Sequence, residues 1–140
     1  MYKSIFILNC IFFISCLNEK EIEKLNLGPL RDDVIVENNV FKISYNEKRQ
    51  QPNWIEFKVR DITKVADRGG MDFYVINDVR TSDNMDYKNN HWDKGHMAPA
   101  GSFTDSWENL YTTFSFLNCA LQIDQLNRGE WRELEEQNRL

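Results

Sequence analysis

The chain has two histidines, His91 and His96, and both fall inside one short segment, HWDKGHMAPAGSF (91–103). Imidazole is the side chain whose ordinary pKa lies nearest neutrality, so a histidine beside a reacting group can take or give a proton at physiological pH. Asp93 precedes His96 by three residues. A carboxylate held near an imidazole can fix its tautomer and raise its basicity. Gly95 lets the backbone turn tightly and carry His96 toward a substrate. Lys94 puts a cation beside the candidate base, suited to a phosphate oxygen. The blander reading of an isolated Asp-x-x-His is a turn with a buried, hydrogen-bonded histidine. Zinc is the competing chemistry, but His91, His96 and Cys119 lack a fourth ligand and match no familiar zinc spacing.

A second segment, LNCALQIDQLNRGEWRELEEQNR (117–139), carries what such a base would need. From Leu126 to Leu140 the periodicity is helical, with Trp131, Leu134 and Asn138 on one stripe and Glu and Arg on the rest. Asn127 falls at the start of that helix, where its side chain can cap free backbone N–H groups. Its amide oxygen is also a ligand for a hard cation. Magnesium prefers oxygen and keeps most of its waters, so one Asn can suffice. Glu135 stands eight residues further on, about 80° around an unbroken helix, so both can border one site. Arg139 follows one turn later. The ordinary alternative is an amphipathic surface helix, and Trp131 and Leu134 belong to the core in either case. Gly129 in the first turn is a mild helix penalty.

Other elements must hold these segments in place. VFKISYNEK (40–48) alternates apolar and polar residues, and WIEFKVRDI (54–62) alternates again. The two predict an antiparallel pair joined by a turn at RQQPN (49–53). RGG (68–70) is another turn, DFYVINDV (72–79) a short apolar run, and TSDNMDYKNN (81–90) a long polar loop.

A length of 140 residues allows one domain, with or without a leader, and not two. Hydrophobic residues at 41% and aromatics at 13% can fill a packed core, which excludes wholesale disorder. No apolar run reaches about 18 residues, which excludes an ordinary membrane-spanning helix. The net charge of −5 argues against a uniformly basic DNA coat, but residues 41–69 carry seven basic and four acidic side chains. A solvated strand face and a phosphate-facing surface both fit that positive segment. Three cysteines, none in CxxC spacing, make no disulfide framework.

The first residues, MYKSIFILNCIFFISC (1–16), run from Lys3 through an apolar stretch to the small Ser15 and Cys16. That is the order of a secretory signal; a buried N-terminal strand or helix is the alternative. Phe13-Ile14-Ser15-Cys16 resembles a bacterial lipobox, which implies a lipid anchor at Cys16. The expected location is therefore secreted, periplasmic or at the cell surface as a lipoprotein. Residues 17–38, polar and charge-rich around Gly28-Pro29, read as a tether, leaving 39–140 as the domain.

DKGHMAPAGSF resembles the DRGH-containing signature of the DNA/RNA non-specific endonucleases. LNCALQIDQLNRGEWRELEEQNR resembles their second motif, of typical form SNxxPQxxxLNxxxWxxLE. SYNEKRQQPNWIEFKV is similar to the family's early strands, and DRGGMDFYVINDV to its Arg-bearing stretch. Two long motifs in the right order and spacing are far more specific than either alone. The resemblance covers roughly residues 40–140 and implies an α+β fold. That fold is a ββα-metal, or His-Me finger, core with an antiparallel sheet, the C-terminal part of the usual domain being missing.

The resemblance also implies roles. His96 matches the general base, Asn127 the magnesium ligand, and Glu135 a carboxylate bonding metal-bound water. Asn118 matches another active-site asparagine. Arg139 and Arg68 match substrate arginines, and Asp93 a positioning aspartate. Lys94 stands where the family has Arg, so it would meet phosphate as a point charge without a bidentate fork. Leu121-Gln122 replaces the usual Pro-Gln. The implied activity is magnesium-dependent, with Mn²⁺ or another divalent ion as an alternative, and sequence-non-specific. It would hydrolyse phosphodiester bonds of DNA and RNA. Lys94, Leu121 and the early end of the motif helix keep a second reading open, a degenerate nuclease-like module that binds nucleic acid without cutting. A small surface protein with no nucleic-acid role is the third.

Overall fold

The computed structural model describes residues 29–59 and 62–137. The leader with Cys16, most of the tether, and Arg139 lie outside the described residues. Three antiparallel strands, β1 (Val34–Glu37), β2 (Phe41–Asn46) and β3 (Gln51–Phe57), form one sheet in the order β1-β2-β3. Strands β4 (Trp92–His96) and β5 (Cys119–Ile123) form a second, two-stranded antiparallel sheet. Helix α1 (Trp107–Thr112) lies in the connection between β4 and β5. Helices α2 (Asp124–Arg128) and α3 (Glu130–Gln137) follow β5 directly. The α+β class and antiparallel pairing expected from the sequence are present, with the His96 strand, its partner and the Asn127 helix in the expected succession.

The alternation of residues 40–48 and 54–62 does yield the β2–β3 pair, in register Phe41↔Phe57 to Asn46↔Gln51. The turn, however, is Glu47–Gln50 rather than 49–53, with Gln50 in the left-handed region at φ 53°. Pro52 lies inside β3 opposite Tyr45, where the register shifts beside Ser44. Proline has no N–H to give a ladder, and such an irregularity is where a strand tolerates it.

The tether expected over 17–38 ends sooner than its charge suggests. Val34–Glu37 pair with β2. Arg31 also forks onto Glu47, whose side chain is fully buried, at 2.9 Å from Nε and 2.6 Å from Nη2. The backbone N–H groups of Arg31 and Arg80 donate to the same carboxylate. These bonds, the Arg31 fork first, hold the Glu47 pKa down to about 2. Residues 72–79 form no strand and make one isolated bridge, Tyr74 to Ser115.

Two apolar clusters hold the molecule together. Ile43, Tyr45, Phe41, Ala98 and Leu117 join the three-stranded sheet to the segment after His96. Phe73, Phe114, Phe116, Leu110 and Cys119 pack beneath the second sheet. Burying each Phe or Leu contributes about 1.5–3 kcal/mol. The second cluster is what His96 rests on.

The helix expected as one piece from Leu126 is two. Gly129 (φ −105°, ψ −110°) breaks it, and a Cβ there would come within 2.6 Å of the Gln125 carbonyl oxygen. Gly129 is thus required by the break rather than a minor cost. Asn127 consequently sits in the last turn of α2 and caps nothing at a helix start. Leu134 is 46% exposed and outside the core, whereas Trp131 is half-buried.

Candidate active site

Side chains in a strand alternate between faces. On β4, His96 and Lys94 therefore share one face, with Asp93 and Gly95 on the other. This overturns the expectation that Asp93 orients the His96 ring. Asp93 accepts from Arg128 instead, at 2.8 Å from Nε and 2.7 Å from Nη2, and from Asn127 Nδ2 at 3.0 Å. The Arg128 fork holds the Asp93 carboxyl below its usual range against a desolvation cost, with Asn127 adding to the effect. Asp93 is a positioning residue, and what it positions is α2. The Asn127 bond uses the amide nitrogen; the carbonyl oxygen is the atom a hard cation takes.

Gly95 also differs from expectation. It lies extended in β4, and a Cβ would come within 2.2 Å of the Gln122 side chain. It admits a close neighbour rather than making a turn. Gln122 is buried by that approach. Leu121, where the family has proline, donates its N–H to Gln51 Oε1 at 2.9 Å, a bond proline could not make.

His96 projects into the aromatic cluster. Its ring lies 4.6 Å from Phe73 and edge-on to Phe114 at 4.8 Å, centroid to centroid. Nε2 is buried and, among the described residues, has no hydrogen-bond partner. Burial first, and the nearby Arg68 guanidinium second, lower the His96 pKa to about 3. The imidazole is therefore neutral at physiological pH. The Trp131 indole donates to the His96 carbonyl at 3.2 Å and ties α3 to the end of β4.

Cations gather on the same face. The Arg68 guanidinium lies over the Phe114 ring at 5.2 Å. Lys94 Nζ bonds Asp72, and Asn84 at 2.8 Å, and lies 5.8 Å from the Phe73 centroid. A phosphate must therefore compete with Asp72 for Lys94. Lys94 in turn holds the Asp72 carboxyl below its usual range.

Asn118 has no surface open to a substrate. It is fully buried, with Nδ2 donating to the carbonyls of Ala98 (2.9 Å) and Thr113 (2.8 Å) and Oδ1 accepting from Ala98 N–H (2.7 Å). It splints the chain just after His96, which makes it a positioning residue. Glu135 is half-buried on α3. The eighty-degree relation to Asn127 assumed an unbroken helix, which Gly129 interrupts. Cys119 is a buried free thiol whose pKa is pushed up to about 12, chiefly by desolvation, so it is inert.

Asn127 and Glu135 each carry the oxygen that a hard cation prefers, and among the described residues no three His, Cys, Asp or Glu side chains converge on a metal position. Sequence reasoning missed Phe73 and Phe114 around His96, Asp72 and Asn84 on Lys94, and Arg128 on Asp93. The aromatic run Phe114-Ser115-Phe116 was the available signal for the first. Nothing in sequence spacing pairs Arg128 with Asp93, 35 residues away.

Comparison with known proteins supplies the family. The profile of the DNA/RNA non-specific endonucleases matches residues 18–139. The mitochondrial nuclease EXOG of Danio rerio is 30% identical over 98 residues, covering 66% of this chain and 29% of its own. A nuclease of Syncephalastrum racemosum is 29% identical over 131 residues, covering 87% and 40%. Among solved structures, the EndoG/EndoGI complex, described as showing the mechanism of EndoG inhibition, matches with a TM-score of 0.68 and 28% identity, covering 79% of this chain and 49% of that one. The chain spans between a quarter and a half of the length of these relatives. With the His96 strand, its partner strand and the Asn127 helix in the fold of these nucleases, the chain belongs to the DNA/RNA non-specific endonuclease family.

Proposed function

We propose that this chain carries the catalytic part of a metal-dependent, sequence-non-specific endonuclease that hydrolyses phosphodiester bonds of DNA and RNA. One arrangement carries the reading: His96 at the end of β4, packed on Phe73 and Phe114 beside Lys94 and Arg68, with Asn127 tied through Asp93 to the same strand.

In this mechanism the His96 imidazole accepts a proton from the attacking water. Phe73 and Phe114 fix the ring. Arg68 and Lys94 offset charge that builds on the phosphate. Arg139 is proposed to assist them. The carbonyl oxygen of Asn127 would hold a hydrated Mg²⁺, or Mn²⁺ in its place, and Glu135 would bond its waters. Such an ion, when bound, supplies charge stabilisation for the leaving oxygen. Asn118 and Asp93 act through the segments they hold. Groups that address phosphate rather than base edges fit sequence-tolerant cleavage. The charged n-region and short apolar run of residues 1–16 support export, with Cys16 as a lipid anchor point.

A supercoiled-plasmid assay tests the reading. Relaxation in magnesium and its loss in chelator are expected. Folded protein that retains plasmid in a salt-dependent way and never nicks it would overturn the enzyme in favour of a binding module.

A further inference from the structure

Away from His96, three aromatic rings form one column. Tyr74 and Tyr111 stack at 4.6 Å with 4° between their planes, and Tyr111 and Trp107 at 4.8 Å with 9°. Tyr111 is the middle ring. Trp107 ends the column and is 61% exposed, although indole is the largest apolar side chain. Trp107 and Tyr111 are four apart on α1, and such pairs do support short helices. That accounts for two rings. It does not account for the third, which comes from the 72–79 segment and lies parallel to the others.

The column is held rigidly. Tyr74 donates its N–H to the Phe114 carbonyl and accepts from Phe116 N–H, both at 2.9 Å. The side chain of Ser106 caps α1 through Asn109 N–H at 3.1 Å. Tyr74 directly follows Phe73, whose ring packs on His96. The platform is therefore anchored to the same segment as the candidate base.

We propose that the open face of Trp107 is a stacking subsite for a nucleobase of the bound strand. A fixed stack of parallel rings is extended by one more planar ring, and every base has such a face, so the subsite adds affinity without reading sequence. The sequence neighbours of Trp107 offer a phosphate no cation: Asp105 is engaged by Asn109 Nδ2 at 3.1 and 3.0 Å, and Glu108 is exposed. A contact at Trp107 would therefore rest on the base. The inference rests on the nucleic-acid reading above and adds a second point of attachment to it.

Single-stranded 2′-O-methyl phosphorothioate oligonucleotides bearing one 2-aminopurine resist cleavage and report stacking by quenching. The parent chain should bind them and quench the probe. Trp107→Leu keeps an apolar contact with Tyr111 and a good helix former, and should weaken binding on the order of tenfold with loss of quenching. Trp107→Phe should restore both in large part. Unchanged affinity and quenching in a folded Trp107→Leu protein would overturn the subsite and leave the nuclease reading intact. No binding by the folded parent, together with no plasmid cleavage, would instead overturn the nucleic-acid reading and this inference with it.

Discussion

On one face of β4, His96 is gripped by Phe73 and Phe114; on the other, Asp93 is gripped by Arg128 and Asn127. The first face is set by apolar packing, which is close to salt-independent and stiff. The second is set by charge-assisted hydrogen bonds, and the Arg128 side chain in them is 70% exposed. Helix α2 has five residues and none of them buried, so packing alone cannot hold it. A candidate base on β4 and a candidate metal ligand on the helix tied to that strand are thus positioned by different physics. They should fail separately.

The largest effect should come from the apolar face. His96→Ala is expected to lower plasmid cleavage by roughly 10²–10⁴-fold, the usual contribution of a positioned proton acceptor. The rate should stay low at every magnesium concentration. Arg128→Met attacks the other face. Raising the magnesium needed for half-maximal cleavage by roughly tenfold, with the saturated rate nearly kept, is the pattern of a lost outer-sphere support. A magnesium titration of the cleavage rate separates the two patterns. If Arg128→Met behaved like His96→Ala, the faces would not be independent.

Gly95 lies between them. Gly95→Ala must displace the Gln122 side chain, and overpacking of this kind costs about 1–3 kcal/mol in urea unfolding. An unchanged midpoint would mean that Gln122 moves aside freely.

Acidity should also distinguish regions of the molecule. His96 has a folded pKa near 3 against about 6.5 unfolded. Below pH 6.5 the unfolded chain binds a proton that the folded chain refuses, so stability falls as pH drops from 6.5 toward 3. Glu47 has a folded pKa near 2 against the ordinary 4.5. Its contribution is complete above 4.5 and is lost as pH falls toward 2. Thermal melts should therefore decline over two overlapping ranges, and His96→Phe should remove the decline between pH 6.5 and 4.5, where only the histidine contributes.

The β2–β3 pair was legible because its alternation is a local property of the residues. Its turn was misplaced because Pro52 reads as punctuation, while a shift in register lets it sit inside β3. β1, the four residues Val34–Glu37, was hidden by its shortness and by the charged residues around it, and the Arg31–Glu47 fork that ties down the chain before it joins residues 16 apart. The two motifs identified the family. The Asp93–His96 pairing failed on strand periodicity, because residues three apart on a strand face opposite ways. The break at Gly129 was scored as a propensity penalty when a backbone contact decided it. Partners such as Phe73 for His96, or Arg128 for Asp93, depend on how β4 meets the aromatic cluster and α2, and local spacing carries no record of that.

The separation of base from metal ligand can be measured without turnover. Mn²⁺ bound to the protein enhances water-proton relaxation, and titrations of the parent, His96→Ala and Asn127→Ala proteins report its affinity directly. His96→Ala should bind Mn²⁺ as the parent does, while Asn127→Ala should lose binding. Loss of binding in His96→Ala, with Asn127→Ala unaffected, would make the histidine the ligand and contradict the division of labour across β4.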